Sequence, residues 1–292
     1  MFIPQINKSI IKNTLQWFLI ILASIAFAIT LRVFFFAKFS IPTPSMEPAI
    51  MAGDQVIVSK LTPGSRIIPN LFSLHTGERP TIKRLKGFPI KRNDVLIFNF
   101  PYSDWGRLDM DMNVYYAKRC VGLPGDTFYI KNGFYKVRGI DDVLGHYDTQ
   151  HAVSKRKKES FSPVLYQTYP FHEMFDWNMH HFGPLYIPKA GDRIEMNTAN
   201  FILYRNLIEY ETKESLTEKD GKFFIGEKEV DHYPFIHNYY FMAGDFALDS
   251  KDSRYWGLLP EEHIVGKVSF VWNSKDIYTK KTKWNRFLKK VQ

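Results

Sequence analysis

The chain has 292 residues, of which 45% are hydrophobic and 16% aromatic, enough to form a core and too apolar for a disordered protein. A net charge of +9 favours an anionic partner, either nucleic acid or a membrane surface. The sequence contains no zinc-finger spacing, homeodomain-like helix or RNP-type motif, so nucleic acid is the weaker option. The single cysteine, Cys120, excludes an intrachain disulfide and is predicted to be a small buried hydrophobe.

An apolar segment near the amino terminus, residues 15–37, carries one charged residue, Arg32. About 20 apolar residues cross a bilayer, so the segment is long enough to span it as one helix. Trp17 lies at one edge and phenylalanines cluster at the other, as in aromatic belts. The alternative is a cleavable signal peptide, but the run is long for one and residues 41–44, Ile-Pro-Thr-Pro, form no small-residue cleavage site. We therefore expect an uncleaved anchor, whose flanking basic residues are too evenly divided to set its orientation.

Short segments of β-propensity, bounded by Gly, Pro, Asn and Asp, fill most of the remaining chain. They are residues 55–59, 94–100, 127–130, 134–137, 193–196, 223–225 and 264–272. Asn-Gly at 132–133 and Asp-Gly at 220–221 predict tight hairpin turns. Gly-Asp leads a strand three times, which fits either an internal repeat or ordinary turn chemistry. Helical periodicity outside the anchor is confined to residues 200–214 and the C-terminus. The part of the chain after the anchor is therefore predicted to be mainly β.

Four blocks of residues point to a chemistry. Residues 44–48 read Pro-Ser-Met-Glu-Pro around Ser45, and residues 53–60 read Gly-Asp-Gln-Val-Ile-Val-Ser-Lys. Lys118 opens the third block, Lys-Arg-Cys-Val-Gly-Leu-Pro-Gly-Asp, and Gly-Asp at 244–245 precedes Ser-Lys-Asp-Ser-Arg-Tyr-Trp-Gly at 250–257. In this order, behind an apolar helix, the blocks resemble those of the type I signal peptidases, the membrane-bound serine proteases that remove signal peptides.

The resemblance implies that Ser45 is the nucleophile and Lys118 the general base. A serine hydroxyl is a poor nucleophile until a base removes its proton, and lysine can do so only when it is neutral. Its pKa must fall from about 10.4 to about 7–8, and burial among apolar neighbours such as Val121 and Leu123 suits that requirement. No histidine belongs to the shared blocks.

The oxyanion of a tetrahedral intermediate needs hydrogen-bond donors aimed at it. In the family, one donor is the backbone N–H of the nucleophile, here Ser45. The other is a side-chain hydroxyl two residues earlier, and Thr43 occupies that position.

The last block supplies supporting residues by the same resemblance. Ser250 matches the serine whose hydroxyl orients the lysine amine. Asp252 and Arg254 match a paired acid and base that brace the site, and Asp245 matches the acid that faces the position of Arg119. The chain departs from the family pattern at residues 246–248, which read Phe-Ala-Leu where the family usually begins with asparagine. This departure changes the expected fine structure of the loop but not the expected catalysis.

Residues 139–239 lack the shared blocks and look like the insertion that many signal peptidases carry. They include a basic run at 155–158 and an aromatic, histidine-rich stretch at 166–182. His172, His180 and His181 do not form a zincin motif or another ligand spacing, so no metal or cofactor is expected. The basic run is predicted to be a solvated loop, with lipid contact as the alternative.

The C-terminal segment, residues 279–292, contains six basic residues and no acid. Trp284, Phe287, Leu288 and Val291 are spaced i, i+3, i+4 and i+7, which predicts an amphipathic helix. Such a helix either caps the core or lies on the membrane surface.

The predicted fold is mainly β: a single N-terminal transmembrane helix, then a β-rich signal-peptidase-type catalytic domain with an inserted smaller domain. The predicted divisions are residues 1–38 (cytoplasmic tail and anchor), 39–138 plus 240–278 (catalytic β-domain), 139–239 (insertion) and 279–292 (basic amphipathic segment). The resemblance implies a single-pass protein of the bacterial cytoplasmic (inner) membrane with its catalytic domain on the outer (periplasmic) face.

The resemblance implies a serine endopeptidase that acts on secretory preproteins and prefers small side chains at the first and third positions before the cut. Membrane lipids are the other expected partner, and the sequence indicates no oligomeric state. One alternative is a non-catalytic, membrane-tethered β-domain that binds secretion partners. Another is a self-cleaving repressor, but such proteins cut an Ala-Gly bond upstream of the serine, whereas Ala-Gly at 52–53 lies downstream of Ser45.

Overall fold

The computed structural model describes residues 8–69, 81–102 and 106–291, with side chains from residue 12 onward. The helices of these residues are α1 (Lys8–Phe34), α2 (Tyr147–Lys155), α3 (Pro163–Tyr166), α4 (Thr198–Thr212) and α5 (Ser253–Trp256). The first strands are β1 (Phe36–Ser40), β2 (Asp54–Ser59), β3 (Arg66–Ile67), β4 (Lys83–Arg84), β5 (Val95–Phe100), β6 (Asp111–Gly122), β7 (Thr127–Lys131), β8 (Phe134–Val137) and β9 (His181–Tyr186). They are followed by β10 (Arg193–Glu195), β11 (Leu216–Lys219), β12 (Lys222–Ile225), β13 (Lys228–Glu229), β14 (His232–Pro234), β15 (Tyr239–Ala243), β16 (Leu259–Pro260), β17 (Ile264–Ser274) and β18 (Lys289–Lys290).

One large antiparallel sheet positions the four sequence blocks. Its strand order is β1-β2-β17-β5-β6-β15-β16, and β18 pairs with β17. Smaller sheets form from β7, β8 and β9, from β11, β12 and β13, and from the pairs β3–β4 and β10–β14. The prediction of a mainly β fold behind an N-terminal apolar helix is confirmed.

The central strand β5 is buried on both faces. Val95 and Ile97 pack in one apolar cluster, while Leu96 and Phe98 pack in another that also contains Cys120. Successive side chains of a strand point to opposite faces, so this alternation places β5 between two cores. Cys120 is fully buried, as predicted, and burial raises the pKa of its thiol.

Both predicted hairpin turns are confirmed. β7 and β8 meet at Asn132 and Gly133, and β11 and β12 meet at Asp220 and Gly221. All four residues have positive φ, as a type I′ turn requires. The predicted helix at 200–214 is α4, which begins after Asn197, whose side chain accepts a hydrogen bond from the backbone at residue 200.

Residues 139–239 share a core with the large sheet. β9 pairs with β7, and Phe182 packs against Phe128 and Phe241, with ring centroids 6.0 and 5.4 Å apart. Phe128 and Phe241 themselves stack at 4.0 Å. The proposed division of the chain at residues 139 and 239 stays a prediction, but the apolar contact across it is continuous.

Helix α1 contains the one described segment long and apolar enough to span a membrane, Lys12–Phe34. It ends three residues before the predicted limit, because Phe36 and Ala37 belong to β1, which pairs with β2. Lys60 donates hydrogen bonds from Nζ to the carbonyls of Arg32 and Val33, at 2.8 and 3.0 Å. These are terminal carbonyls without partners inside the helix, so a cation from the β-domain stabilises the helix end.

The predicted C-terminal helix is wrong. Trp284–Arg286 form one 3₁₀ turn, after which β18 pairs with β17. Leu288 has a φ of 55°, which interrupts a right-handed helix, and Val291 is buried in the core. Pairing of β18 with β17 overrides the local helical spacing, because it gives the backbone N–H and C=O groups hydrogen-bond partners and also buries apolar surface.

Candidate active site

The loop of residues 41–53 joins β1 to β2 and carries Ser45. Backbone hydrogen bonds close its base: Ile41 donates to the carbonyl of Asp54 at 2.8 Å, and Gly53 donates to that of Ile41 at 2.9 Å. Gly53 has a φ of 93°, and a Cβ there would lie 1.9 Å from the carbonyl oxygen of Lys275. Only glycine therefore allows the loop to end against Lys275, the residue that follows β17.

Ser45 and Lys118, separated by 73 residues in sequence, are in direct contact. Lys118 lies in β6, and its Nζ is 2.5 Å from Ser45 Oγ. Ser45 is half-buried, while Lys118 is only 3% exposed. The nucleophile and base predicted from the sequence are thus held together at hydrogen-bonding distance.

Burial lowers the pKa of Lys118 from its ordinary value of 10.5 to about 8. Loss of hydration is the largest cause, and the positive charge of Arg254 acts in the same direction. Asp252, Asp245 and Asp249 oppose the shift by stabilising the ammonium. A substantial fraction of Lys118 is therefore neutral near pH 8, the form able to accept a proton.

An open cavity of about 450 Å³ lies over the pair. Its lining includes Thr43, Ser45 and Lys118 together with apolar side chains such as Ile41 and Ile97. The Thr43 Oγ1 atom is 3.5 Å from Ser45 Oγ. A mainly apolar cleft with a few convergent polar groups suits a bound peptide whose carbonyl reaches the serine.

Asp252 and Arg254 form a buried pair beside the lysine. Arg254 donates from Nε and Nη2 to the two carboxylate oxygens of Asp252, at 2.8 and 2.7 Å. Asp252 also accepts the backbone N–H of Gly244 at 2.9 Å, and Arg254 donates to the carbonyl of Ala247 at 2.9 Å. The pair thereby holds residues 244–247 against residues 252–254, at the two ends of one turn.

Asp245 and Arg119 form a second buried pair, as the resemblance implies. Arg119 donates from Nε and Nη2 to the carboxylate of Asp245, both at 2.6 Å, and from Nη1 to the carbonyl of Asn93 at 2.7 Å. Arg119 follows Lys118 in β6, so this pair anchors the strand that carries Lys118.

Ser250 lies at the site but does not make the predicted bond to Lys118. Its Oγ is buried and has no hydrogen-bond partner among the described residues. A Cβ at Gly244 would lie 2.1 Å from that Oγ and 2.6 Å from the carbonyl oxygen of Ser45. The absence of a side chain at residue 244 therefore brings Ser250 up to the nucleophile's loop, and its orienting role stays a prediction.

The departure from the family pattern at residues 246–248 has a local structural role. The backbone N–H of Phe246 donates to the carbonyl of Ser45 at 3.1 Å. Ala247 is buried in a cluster with Val153 and Met179, both from the insertion. Thr149 of α2 also donates its hydroxyl to the carbonyl of Asp245. The loop thus connects the segment around Ser45 to residues 139–239.

The sequence analysis missed two contributors, Thr149 and Arg286. Arg286 reaches the base of the Ser45 loop through an ion pair with Asp54. Neither belongs to a shared block, and an arginine inside a basic run gives no sequence signal of burial. The described residues contain no group of three or more histidine, cysteine or acidic residues able to hold a metal.

Comparison with known proteins gives a consistent result. The family model described as signal peptidase, peptidase S26, matches residues 14–176 and 186–273. A signal peptidase I of Buchnera aphidicola (subsp. Schizaphis graminum) is 27% identical over 92% of this chain and 79% of its own length. One from Pseudomonas aeruginosa is 28% identical over 84% of this chain and 68% of its own. A crystal structure of a signal peptidase I from Enterococcus faecalis overlaps 61% of this chain and 95% of its own at 19% identity, with a TM-score of 0.27, too low to bear on the fold.

Proposed function

This chain belongs to the signal peptidase family, peptidase S26, and we propose that it hydrolyses signal peptides from secretory preproteins with Ser45 as nucleophile and Lys118 as general base. The observation that carries the assignment is the 2.5 Å contact between Ser45 Oγ and a buried lysine Nζ. Burial keeps that amine partly neutral, and the cleft above it has room for a peptide.

In the first half of the reaction, Ser45 Oγ attacks the carbonyl carbon of the scissile bond and its proton passes to the neutral Lys118 Nζ. The resulting oxyanion is stabilised by the hydroxyl of Thr43 and the backbone N–H of Ser45. The ammonium of Lys118 then donates a proton to the leaving amine, so the peptide bond breaks and an ester to Ser45 remains.

In the second half, the neutral Lys118 removes a proton from water, which attacks the ester. The same donors stabilise the second oxyanion, and the ammonium returns the proton to Ser45 Oγ as the signal peptide leaves. The Arg119–Asp245 pair holds the strand of Lys118 and the Asp252–Arg254 pair holds the neighbouring turn throughout, and we propose that Ser250 orients the lysine amine during the reaction. The protein's own groups account for every proton, so the proposal includes no metal or cofactor.

The test is cleavage of a purified preprotein by the full-length chain in detergent, with the product identified by mass. We expect one cut after a residue with a small side chain, and no cut by Ser45→Ala. A preprotein with bulky residues at the first and third positions before the cut serves as the negative substrate. Cleavage by Ser45→Ala at the wild-type rate would remove Ser45 from the mechanism, whereas no cleavage by the wild type would favour the non-catalytic binding domain.

For location, we propose that α1 is an uncleaved anchor in the bacterial inner membrane and that the β-domain lies on its periplasmic face. The exposed apolar surface of α1 supports the first part. The buried Cys120 allows a direct test of the second, because a cysteine introduced at the exposed Lys219 would be the accessible thiol. Lys219→Cys should react with a membrane-impermeant reagent in intact spheroplasts. Labelling only after lysis would place the domain in the cytoplasm.

Membrane lipids are the other proposed partner. Trp284, Phe287 and Leu288 are exposed close to the basic residues of the C-terminal segment, a combination that suits the lipid–water interface. In the reconstituted full-length protein, brominated lipids should quench Trp17 of α1 and also Trp284, so Trp284→Phe should reduce the quenched part of the tryptophan fluorescence without abolishing it. Unchanged quenching would show that this surface stays in water.

A further inference from the structure

Arg286 is buried at 5% exposure, although the segment around it contains exposed lysines. It donates from Nε to both carboxylate oxygens of Asp54, at 2.9 and 3.1 Å, and from Nη2 to Oδ2 at 2.5 Å. It also donates to the carbonyl of Ala49 at 3.1 Å. A residue near the C-terminus is therefore bonded to a loop 232 residues earlier in the chain.

Asp54 is fully buried and stands at the base of the Ser45 loop. Its backbone carbonyl accepts from Ile41 at the other end of the loop, and its carboxylate accepts the N–H of Met51 inside it. Ala49 lies four residues after Ser45. Arg286 and Asp54 together therefore hold the second half of the loop at two points and its base at a third.

The pair belongs to different elements from the Arg119–Asp245 and Asp252–Arg254 pairs that support the region of Lys118. Ile50 donates to the carbonyl of Met46, and Met46 is 1% exposed, so displacement at Ala49 is transmitted to the residue next to the nucleophile. Misplacing a reacting group by about 1 Å can reduce a rate about 100-fold, so small loop movements matter here.

We propose that Arg286 is a positioning residue for the nucleophile: through Asp54 and the Ala49 carbonyl, it holds the loop so that Ser45 Oγ meets Lys118 Nζ. This inference rests on the proposed function of Ser45. It assigns to the C-terminal segment a role in catalysis in addition to any contact with lipid.

The experiment measures kcat and KM of full-length variants in detergent, together with the folded fraction and melting temperature. Arg286→Ala should lower kcat about 10- to 100-fold while KM stays within about twofold. Arg286→Lys should recover part of the loss, because an ammonium keeps the charge but lacks the planar fork that reaches both Asp54 and Ala49. Asp54→Asn, nearly the same shape without the charge, should resemble Arg286→Ala.

Lys289→Ala is the matched control, since this exposed cation lies in β18, three residues away; its kcat should equal that of the wild type. A lower melting temperature with unchanged kcat per folded molecule in Arg286→Lys and Asp54→Asn would overturn the proposal. If Arg286→Ala does not fold, Arg286→Lys and Asp54→Asn decide: a lower kcat per folded molecule supports the proposal, and an unchanged kcat overturns it. Failure of the wild type to cut the preprotein would instead contradict the proposed function.

Discussion

The two sides of Lys118 are built differently. Towards the cavity, its amine makes one short contact with Ser45 Oγ. The Oγ1 atom of Thr43 lies 3.5 Å from that same serine oxygen. Away from the cavity, Asp252 and Arg254 are less than 2% exposed and share several hydrogen bonds with each other and the backbone. The reacting side is sparse in polar contacts and the supporting side is saturated with them.

This difference follows from what each side must do. A lysine must lose its charge to act as a base, so strong acceptors cannot surround its amine. Buried charges of the support, in contrast, are stable only when their hydrogen bonds are complete. We therefore expect single changes on the reacting side to reduce turnover, and single changes on the supporting side to reduce stability or shift the pKa of Lys118.

The largest effect is expected from the reacting pair itself. Ser45→Ala and Lys118→Ala should each reduce turnover by at least the 10²–10⁴-fold typical of general-base catalysis, with folding intact. The double variant should be no worse than either single, because the two groups act as one unit. Preprotein cleavage in detergent, with circular dichroism for folding, measures this. More than about a tenth of the rate in Lys118→Ala would exclude it as the base.

Next in size is the loss of the oxyanion donor. Thr43→Val keeps the shape and removes the hydroxyl, so kcat should fall about 10²–10³-fold with little change in KM. Thr43→Ser keeps the hydroxyl and is the matched control, expected to be nearly as active as the wild type. If the valine and serine variants were equally active, the donor would have to be sought elsewhere in the cavity.

A smaller effect on rate, but a clear one on pH dependence, is expected at Asp252. In the proposed mechanism Lys118 acts as a neutral base, so kcat/KM should rise with pH through a pKa of about 8. Asp252 raises that pKa by favouring the ammonium, so Asp252→Asn should move the rising limb to lower pH. It should also lower stability by about 3–5 kcal/mol, since the Arg254 charge stays buried without its partner.

Asp249→Asn is the control for that experiment. Asp249 is exposed and also raises the pKa of Lys118, but less than Asp252 does. Its removal should shift the limb in the same direction by less, without a loss of melting temperature. A limb that moved to higher pH in either variant would mean that Lys118 is not the group being titrated.

Much of this site could be predicted from the sequence because its parts lie in short, specific blocks. The resemblance of those blocks to the signal peptidases implied Ser45, Lys118 and both ion pairs, and the hairpin turns follow from the φ preferences of Asn-Gly and Asp-Gly. The errors have a common cause. The C-terminal segment has helical spacing, but β17 offers it an edge for pairing, and local periodicity contains no information about a distant strand.

The contacts of the insertion were unpredictable for the same reason. Thr149 gives no signal in the sequence, yet its hydroxyl meets the carbonyl of Asp245, 96 residues later. Ala247 looked like a departure from a pattern, and it packs with Val153 and Met179 instead. Such pairs become visible only when the fold brings the segments together.

The smallest expected effect tests how redundant the supporting side is. Thr149→Val removes the hydrogen bond to the Asp245 carbonyl and keeps the shape of the side chain. Because the Asp245 side chain remains bonded to Arg119, the loss should be about 1 kcal/mol of stability, with kcat within about twofold of the wild type. Melting temperatures in detergent measure the first quantity, and Thr149→Ser, which retains the donor, should melt like the wild type. A tenfold fall in kcat without a change in melting temperature would contradict redundancy and make the insertion a positioning element for the Ser45 loop.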